Sequence, residues 1–124
     1  MKVAVTSQGP DVNSQVDPRF GRAACFVLVD METGAVAIGN NSGSRRTAHA
    51  AGMQAAGALV GLGVAAVITG NIGPKAFGTL QAANVSVYTA PSGSVGEAIE
   101  KFKAGELQRL LQANAKEHSE QMSR

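Results

Sequence analysis

Between Ala48 and Leu62 the chain carries no Asp, Glu, Lys or Arg and is almost entirely Ala, Gly, Leu, Val and Met. A helix with so little polar surface has no face to offer to water, so other elements must cover most of it. Gly52 and Gly57 inside it each cost about 1 kcal/mol relative to Ala in a helix interior. Close approach of the helix to a sheet would offset that cost. Val64 to Thr69 follows with the β-branched density of a strand buried on both faces. A buried helix feeding a doubly buried strand belongs in a sheet layered with helices. The longest uncharged apolar run, Ala55 to Ile68, is broken by three glycines and falls short of the ~20 residues that a membrane span needs.

The rest of the chain fits the same class. Lys2 to Thr6 alternates polar and β-branched or apolar residues before the Gly9-Pro10 breaker and reads as a first strand. Residues 7 to 24 form a long loop. Cys25 to Met31 and Ala35 to Gly39 are strands of a hairpin that turns at Glu32-Thr33-Gly34. Thr47 is a candidate N-cap for the buried helix. After Thr69, Gly73 can cap and Pro74 suits the first position of a helix running to about Ala83. Val85 to Thr89 is the last strand. Ser94-Val95-Gly96-Glu97 is a capping box, and Val95, Ala98, Ile99 and Phe102 then share one helical face. A final helix is expected from Glu106, with Leu107, Leu110 and Leu111 on one stripe and a polar, fraying end beyond Gln112. The expected organisation is one α/β domain over residues 1–105 and a C-terminal helical tail over 106–124. Strands 1, 4 and 5 run parallel, strand 2 lies antiparallel beside strand 1, and strand 3 is at the edge.

A length of 124 residues suits one compact domain. Such a chain buries roughly two-thirds of its unfolded surface, enough to fold without disulfides or a metal staple. The single cysteine, Cys25, has no internal partner, and a reducing compartment is the expectation. The apolar run at the start is too short for a signal peptide, so a cytoplasmic location is expected. Net charge is +2, from 11 Lys+Arg against 9 Asp+Glu, and aromatics are 4% of the chain. Nonspecific nucleic-acid binders combine clustered cations with stacking aromatics, so no nucleic acid and no membrane are expected as partners.

The basic residues are nonetheless placed in a pattern. Arg19, Arg22, Arg45, Arg46 and Lys75 fall in loops or helix starts, accompanied there only by Asp11 and Asp17. In an open sheet with parallel strands, ligands collect beyond the carboxyl ends, where loops feed the helix starts. The loop after Thr6, residues 40–49, residues 70–75 and residues 90–94 converge there in this topology. Three of these segments open helices, whose unpaired N–H groups and dipoles favour an anion. His49, at the first helix start, is either a metal ligand or hydrogen-bond donor, or a helix-start residue bonded to a nearby loop. Cys25, at a strand start, reads first as a small buried hydrophobe. In Asp17-Pro18-Arg19-Phe20-Gly21-Arg22 two readings stand: Phe20 plugs the core while Asp17 pairs with an Arg, or an Arg contacts ligand.

Several other readings lack the residues they need, although a nucleotide's phosphate would also suit the helix starts. A two-metal nuclease needs carboxylates on the central strands, and Lys2 to Thr6 has none. No Gly-x-Gly-x-x-Gly follows a strand, and no phosphate-loop Lys-Ser/Thr is present. Gly70-Asn71-Ile72-Gly73 matches the Gly-x-x-Gly of a KH module only superficially, since that loop joins two helices. No Ser/His/Asp set is close in this topology.

Asp17-Pro18-Arg19-Phe20-Gly21-Arg22-Ala23, then Phe26 and Asp30, the run Val67-Ile68-Thr69-Gly70-Asn71-Ile72-Gly73-Pro74-Lys75-Ala76-Phe77, Val87-Tyr88, and Ala98 to Leu107 together carry a resemblance. In this ordered set the chain, from residue 1 to about 110, resembles the dinitrogenase iron–molybdenum cofactor biosynthesis family. The resemblance implies a ribonuclease-H-like α/β motif, with a five-stranded mixed sheet in the order 3-2-1-4-5 and helices on both faces. It implies a non-enzymatic carrier of a metal–sulfur cluster containing molybdenum with iron or copper, held without covalent bonds. A protein partner in cofactor assembly, or an ATPase, goes with that role. The expected cofactor-binding residues are Arg19, Phe20, Arg22, Arg45, Arg46, His49, Gly70, Asn71, Ile72, Gly73 and Lys75, with His49 as the metal ligand. Many relatives carry His-Gly-Ala-Gly where this chain has His49-Ala50-Ala51-Gly52. Together with the single cysteine, the resemblance points to electrostatic capture of a preassembled anion. The alternative is a regulatory interaction module on the same scaffold, with the stripe at Leu107, Leu110 and Leu111 binding a partner helix.

Overall fold

In a computed structural model, the protein is described over residues 1–41, 48–90 and 92–114, apart from the side chains of residues 48–51. Its elements are β1 (Lys2–Ser7), β2 (Cys25–Asp30), β3 (Val36–Asn40), α1 (Ala48–Gly61), β4 (Ala66–Thr69), α2 (Pro74–Ala82), β5 (Ser86–Thr89), α3 (Val95–Lys103) and β6 (Gln108–Leu110). One mixed sheet runs β3-β2-β1-β4-β5-β6. β1 is parallel to β4 and β4 to β5, whereas β1–β2, β2–β3 and β5–β6 pair antiparallel. The expected order of the first five strands is therefore present, with β6 added beyond β5.

Side-chain alternation along the strands divides the core into two layers. Ala4, Phe26, Val67 and Val87 point to the side covered by α1 and α2, where they meet Leu59, Phe77 and Leu80. Val3, Val5, Val27 and Ile68 point to the opposite side, covered by α3 through Val95, Ala98 and Ile99. Helices thus lie on both faces, and β1 and β4 are buried from both sides, as their uninterrupted apolar runs require. α3 carries the capping box read from Ser94 and Glu97. At the far end of α2, Asn84 takes a left-handed φ of 62°, and the Val85 N–H returns to the Leu80 carbonyl at 2.9 Å, closing the helix so that β5 can begin.

Three expectations are corrected. The small residues of α1 serve helix–helix packing: a β-carbon on Gly52 would sit 3.5 Å from that of Ala76 in α2, and Gly57 has nothing within 4 Å of that position. The helix expected from Glu106 gives way to β6. Gly105, at φ +74°, ends α3 and turns the chain. The apolar segment that remains is too short to hold an isolated helix, while the open edge of β5 offers backbone partners. Leu110 and Leu107 consequently pack into opposite core layers, leaving Leu111 78% exposed; the helical stripe of the interaction-module alternative is not formed. Finally, the expected onset of fraying at Gln112 lies at least two residues too early, because Asn114 is bonded to the turn after β4; residues 115–124 lie outside the described residues. Thr47 and the expected basic residues Arg45 and Arg46 lie outside the described residues.

Candidate functional site

The loop between β1 and β2 folds back across the carboxyl ends of β1 and β4. Thr6, fully buried at the end of β1, is the clip. Its hydroxyl donates to the Asp17 carbonyl at 2.7 Å and accepts from the Thr69 hydroxyl at 2.9 Å, while the Asp17 N–H donates to the Thr6 carbonyl at 2.8 Å. Satisfying these buried groups against one another costs less than leaving either strand end unpaired. The next residues pair with the turn after β4: the Asn71 N–H donates to the Pro18 carbonyl at 2.7 Å, and the Phe20 N–H donates to the Asn71 carbonyl at 3.1 Å. So close an approach is open only to glycine at position 70, where a β-carbon would stand 2.7 Å from the Pro18 Cα.

The side chains of this loop divide the work. Phe20 is buried, its ring 6.3 Å from that of Phe26, and anchors the loop in the α1/α2 layer. Asp17, 2% exposed, accepts from the Arg19 N–H at 2.9 Å, from its Nε at 3.2 Å and from its Nη2 at 3.3 Å. The hydrogen bond and charge of Asp17 raise the Arg19 pKa further above neutrality. Arg19 remains 64% exposed, and two of its five N–H donors are engaged by Asp17, leaving three to face outward. The structural reading of the Asp17–Arg22 run and the ligand reading are thus compatible: Phe20 plugs the core, and Arg19 is steered outward by a buried carboxylate.

The helix starts are not equivalent. At α3, the Val95 N–H donates to the Ser14 carbonyl at 2.9 Å and the Gly96 N–H to the Val12 carbonyl at 2.8 Å. The Glu97 N–H donates to the Ser94 hydroxyl at 3.1 Å, and the Glu97 carboxylate accepts from the Ser94 N–H at 2.8 Å. That end is saturated by its own chain and carries an acidic side chain, so the expectation that all three helix starts favour an anion fails there. α2 differs. It has Pro74 in its first turn, no side-chain cap from Gly73 and no acidic residue in that turn, while Lys75 is exposed. Among the described residues, the Lys75 and Ala76 N–H groups of this turn have no capping side chain and no acidic neighbour within the turn, so the positive end of the dipole is left uncompensated there.

Of the expected site residues, Arg19, Gly70, Asn71, Gly73 and Lys75 are brought into one neighbourhood. Phe20 and Ile72 are there too, with their side chains in the core. Arg22 is half-buried nearby, where the Asn41 Nδ2 donates to the carbonyls of Gly21 and Ala23, at 2.9 Å each. His49 lies in the first turn of α1, one turn before Gly52, which packs on Ala76 of α2. The starts of α1 and α2 are therefore side by side; the His49 side chain is outside the described residues. Cys25 is buried, with its Sγ 3.1 Å from the Gly9 carbonyl, and burial raises its thiol pKa. Among the described residues no group of three or more His, Cys, Asp or Glu side chains could hold a metal ion. What this region offers is positive charge and N–H donors.

Sequence reasoning missed Thr6, Thr69 and Asn114. The two threonines had a signal: each ends a buried strand, and once β1 and β4 are neighbours their hydroxyls need partners. Asn114 had none, since it joins the turn from 42 residues away.

The family described as dinitrogenase iron-molybdenum cofactor matches residues 1–105, and the chain belongs to that family. It is 40% identical to the apo form of the orange protein from Desulfovibrio gigas, with a TM-score of 0.87, covering 92% of this chain and 96% of that one. A NifB-like protein from Thermotoga is 39% identical, with a TM-score of 0.81, covering 92% and 97%. An uncharacterised protein of Methanocaldococcus jannaschii is 34% identical over 113 residues, 89% of this chain and 92% of its own. The family name ties the chain to a metal-associated cofactor. Among the described residues no helix is long and apolar enough to cross a membrane.

Proposed function

We propose that this protein is a non-enzymatic, cytoplasmic carrier that holds an anionic metal–sulfur cluster, containing molybdenum with iron or copper, as cargo. The observation that carries this reading is the uncapped amino end of α2 with exposed Lys75, set beside the outward-steered guanidinium of Arg19. A cluster anion there would accept from the first-turn N–H groups and from both cations, with Gly73, whose β-carbon position is open, keeping a side chain out of its way. His49, Arg45, Arg46 and Arg22 are the further candidate contributors to this cradle. Cys25 contributes no anchor, because its thiol is buried and held protonated. Loading and unloading then depend on electrostatics and hydrogen bonds, which suits a protein that must hand its cargo to a partner in cofactor assembly.

The test is a visible-spectrum titration of the purified full-length protein with tetrathiomolybdate and copper. A stoichiometric coloured complex that K75A and R19A weaken supports the carrier role. The lack of any complex, or uptake indifferent to both substitutions, removes it.

A further inference from the structure

The turn after β4 is held from two directions. The β1–β2 loop pairs with it from one side, through Pro18 and Phe20. From the other side comes Asn114, beyond the segment over which the family is matched. The Asn114 Oδ1 accepts from the Ile72 N–H at 2.8 Å, its Nδ2 donates to the Gly70 carbonyl at 2.9 Å, and its own N–H donates to the Ile72 carbonyl at 3.2 Å. One side-chain amide thus grips the residues on both sides of Asn71, using one acceptor and one donor in a fixed planar arrangement. The Gly70 carbonyl takes a second bond from the Thr89 hydroxyl at 3.0 Å. β6 brings Asn114 to this point: Leu110 pairs with Val87 and packs in the α1/α2 layer beside Ala113.

We infer that Asn114 is a positioning residue for the candidate site: it fixes the Gly70–Ile72 turn, and with it the exposed Asn71 and the adjoining start of α2, in the form presented to an anion. The inference rests on the carrier reading for what is bound, but not for the brace itself.

The experiment compares wild type, N114A, N114D and I99V as full-length, isotopically labelled protein, reading Ile72 amide exchange and tetrathiomolybdate binding. I99V trims the core on the opposite sheet face and controls for general loss of stability. Expected in N114A is about tenfold faster Ile72 exchange, the scale set by losing two side-chain hydrogen bonds, with weaker anion binding. N114D keeps an acceptor for the Ile72 N–H but sets a carboxylate oxygen against the Gly70 carbonyl where the Nδ2 donated, so its Ile72 exchange is expected to stay fast as in N114A, while I99V leaves binding unchanged. Ile72 exchange unaltered in N114A, or raised equally in I99V, overturns the brace. Exchange raised with binding unaltered overturns the positioning role. If wild type binds no tetrathiomolybdate, the carrier reading fails, and with it the positioning role, while Ile72 exchange still decides whether Asn114 is a brace.

Discussion

Gly70 and Pro18 meet backbone to backbone: a β-carbon on Gly70 would stand 2.7 Å from the Pro18 Cα and 2.9 Å from its carbonyl oxygen. Neither neighbour is the flexible end of a side chain, so nothing nearby can give way without moving the loop. G70A is expected to destabilise the protein by about 1–3 kcal/mol, the scale of forced overpacking, in a denaturant titration. It should also disturb the amide signals of Arg19 and Asn71. Unchanged stability would mean that the loop is not seated on this turn.

The glycines of the helices behave in the opposite way. Gly57 in α1 and Gly78 in α2 have nothing within 4 Å of a β-carbon and no positive φ. G57A and G78A are each expected to raise stability by about 0.5–1 kcal/mol, because alanine loses less backbone entropy on folding. Thermal or denaturant unfolding reads this directly, and a destabilised variant would reveal a contact absent from this structure.

Cys25 should be chemically quiet. Its thiol is buried at the start of β2, and burial lifts its pKa above the ordinary thiol value. Alkylation by iodoacetamide at neutral pH is expected to be slow in the native protein and fast in denaturant. The sign of the linkage follows. A folded-state pKa above the unfolded one gives stability that is complete below the unfolded thiol's pKa and declines as pH rises through it toward the folded value. C25A should flatten that alkaline decline.

Arg45 and Arg46 precede α1, whose start lies beside that of α2. Their replacement by alanine is expected to weaken anion uptake, with a larger loss at low ionic strength, where charge–charge attraction is least screened. Titrations at two salt concentrations check this, and a loss independent of salt would assign these residues a contact role instead.

The layered sheet was legible because its signals are local and mutually consistent: a charge-free helix, doubly buried strands, a capping box at Ser94 and a Gly-Pro helix start. The convergence of the Asp17–Arg22 run with Gly70–Lys75 was legible from topology alone. The saturation of the α3 start was not. The Ser14 and Val12 carbonyls that fill it belong to a loop with no periodicity, and backbone acceptors leave no mark on side-chain identity. The strand at Gln108–Leu110 escaped for a related reason. Leu107, Leu110 and Leu111 fit a helical stripe, and only the open edge of β5, a tertiary feature, decides against it.

The central claim is that an anion docks at the start of α2 and not at the start of α3. Two-dimensional amide spectra of the full-length protein, recorded while tetrathiomolybdate is added, test it most directly. The expected result is saturable shifts of the Lys75, Ala76 and Arg19 amides while those of Val95, Gly96 and Glu97 stay in place. Shifts centred on Val95 to Glu97, or no saturable shift at Lys75 and Ala76, would contradict it.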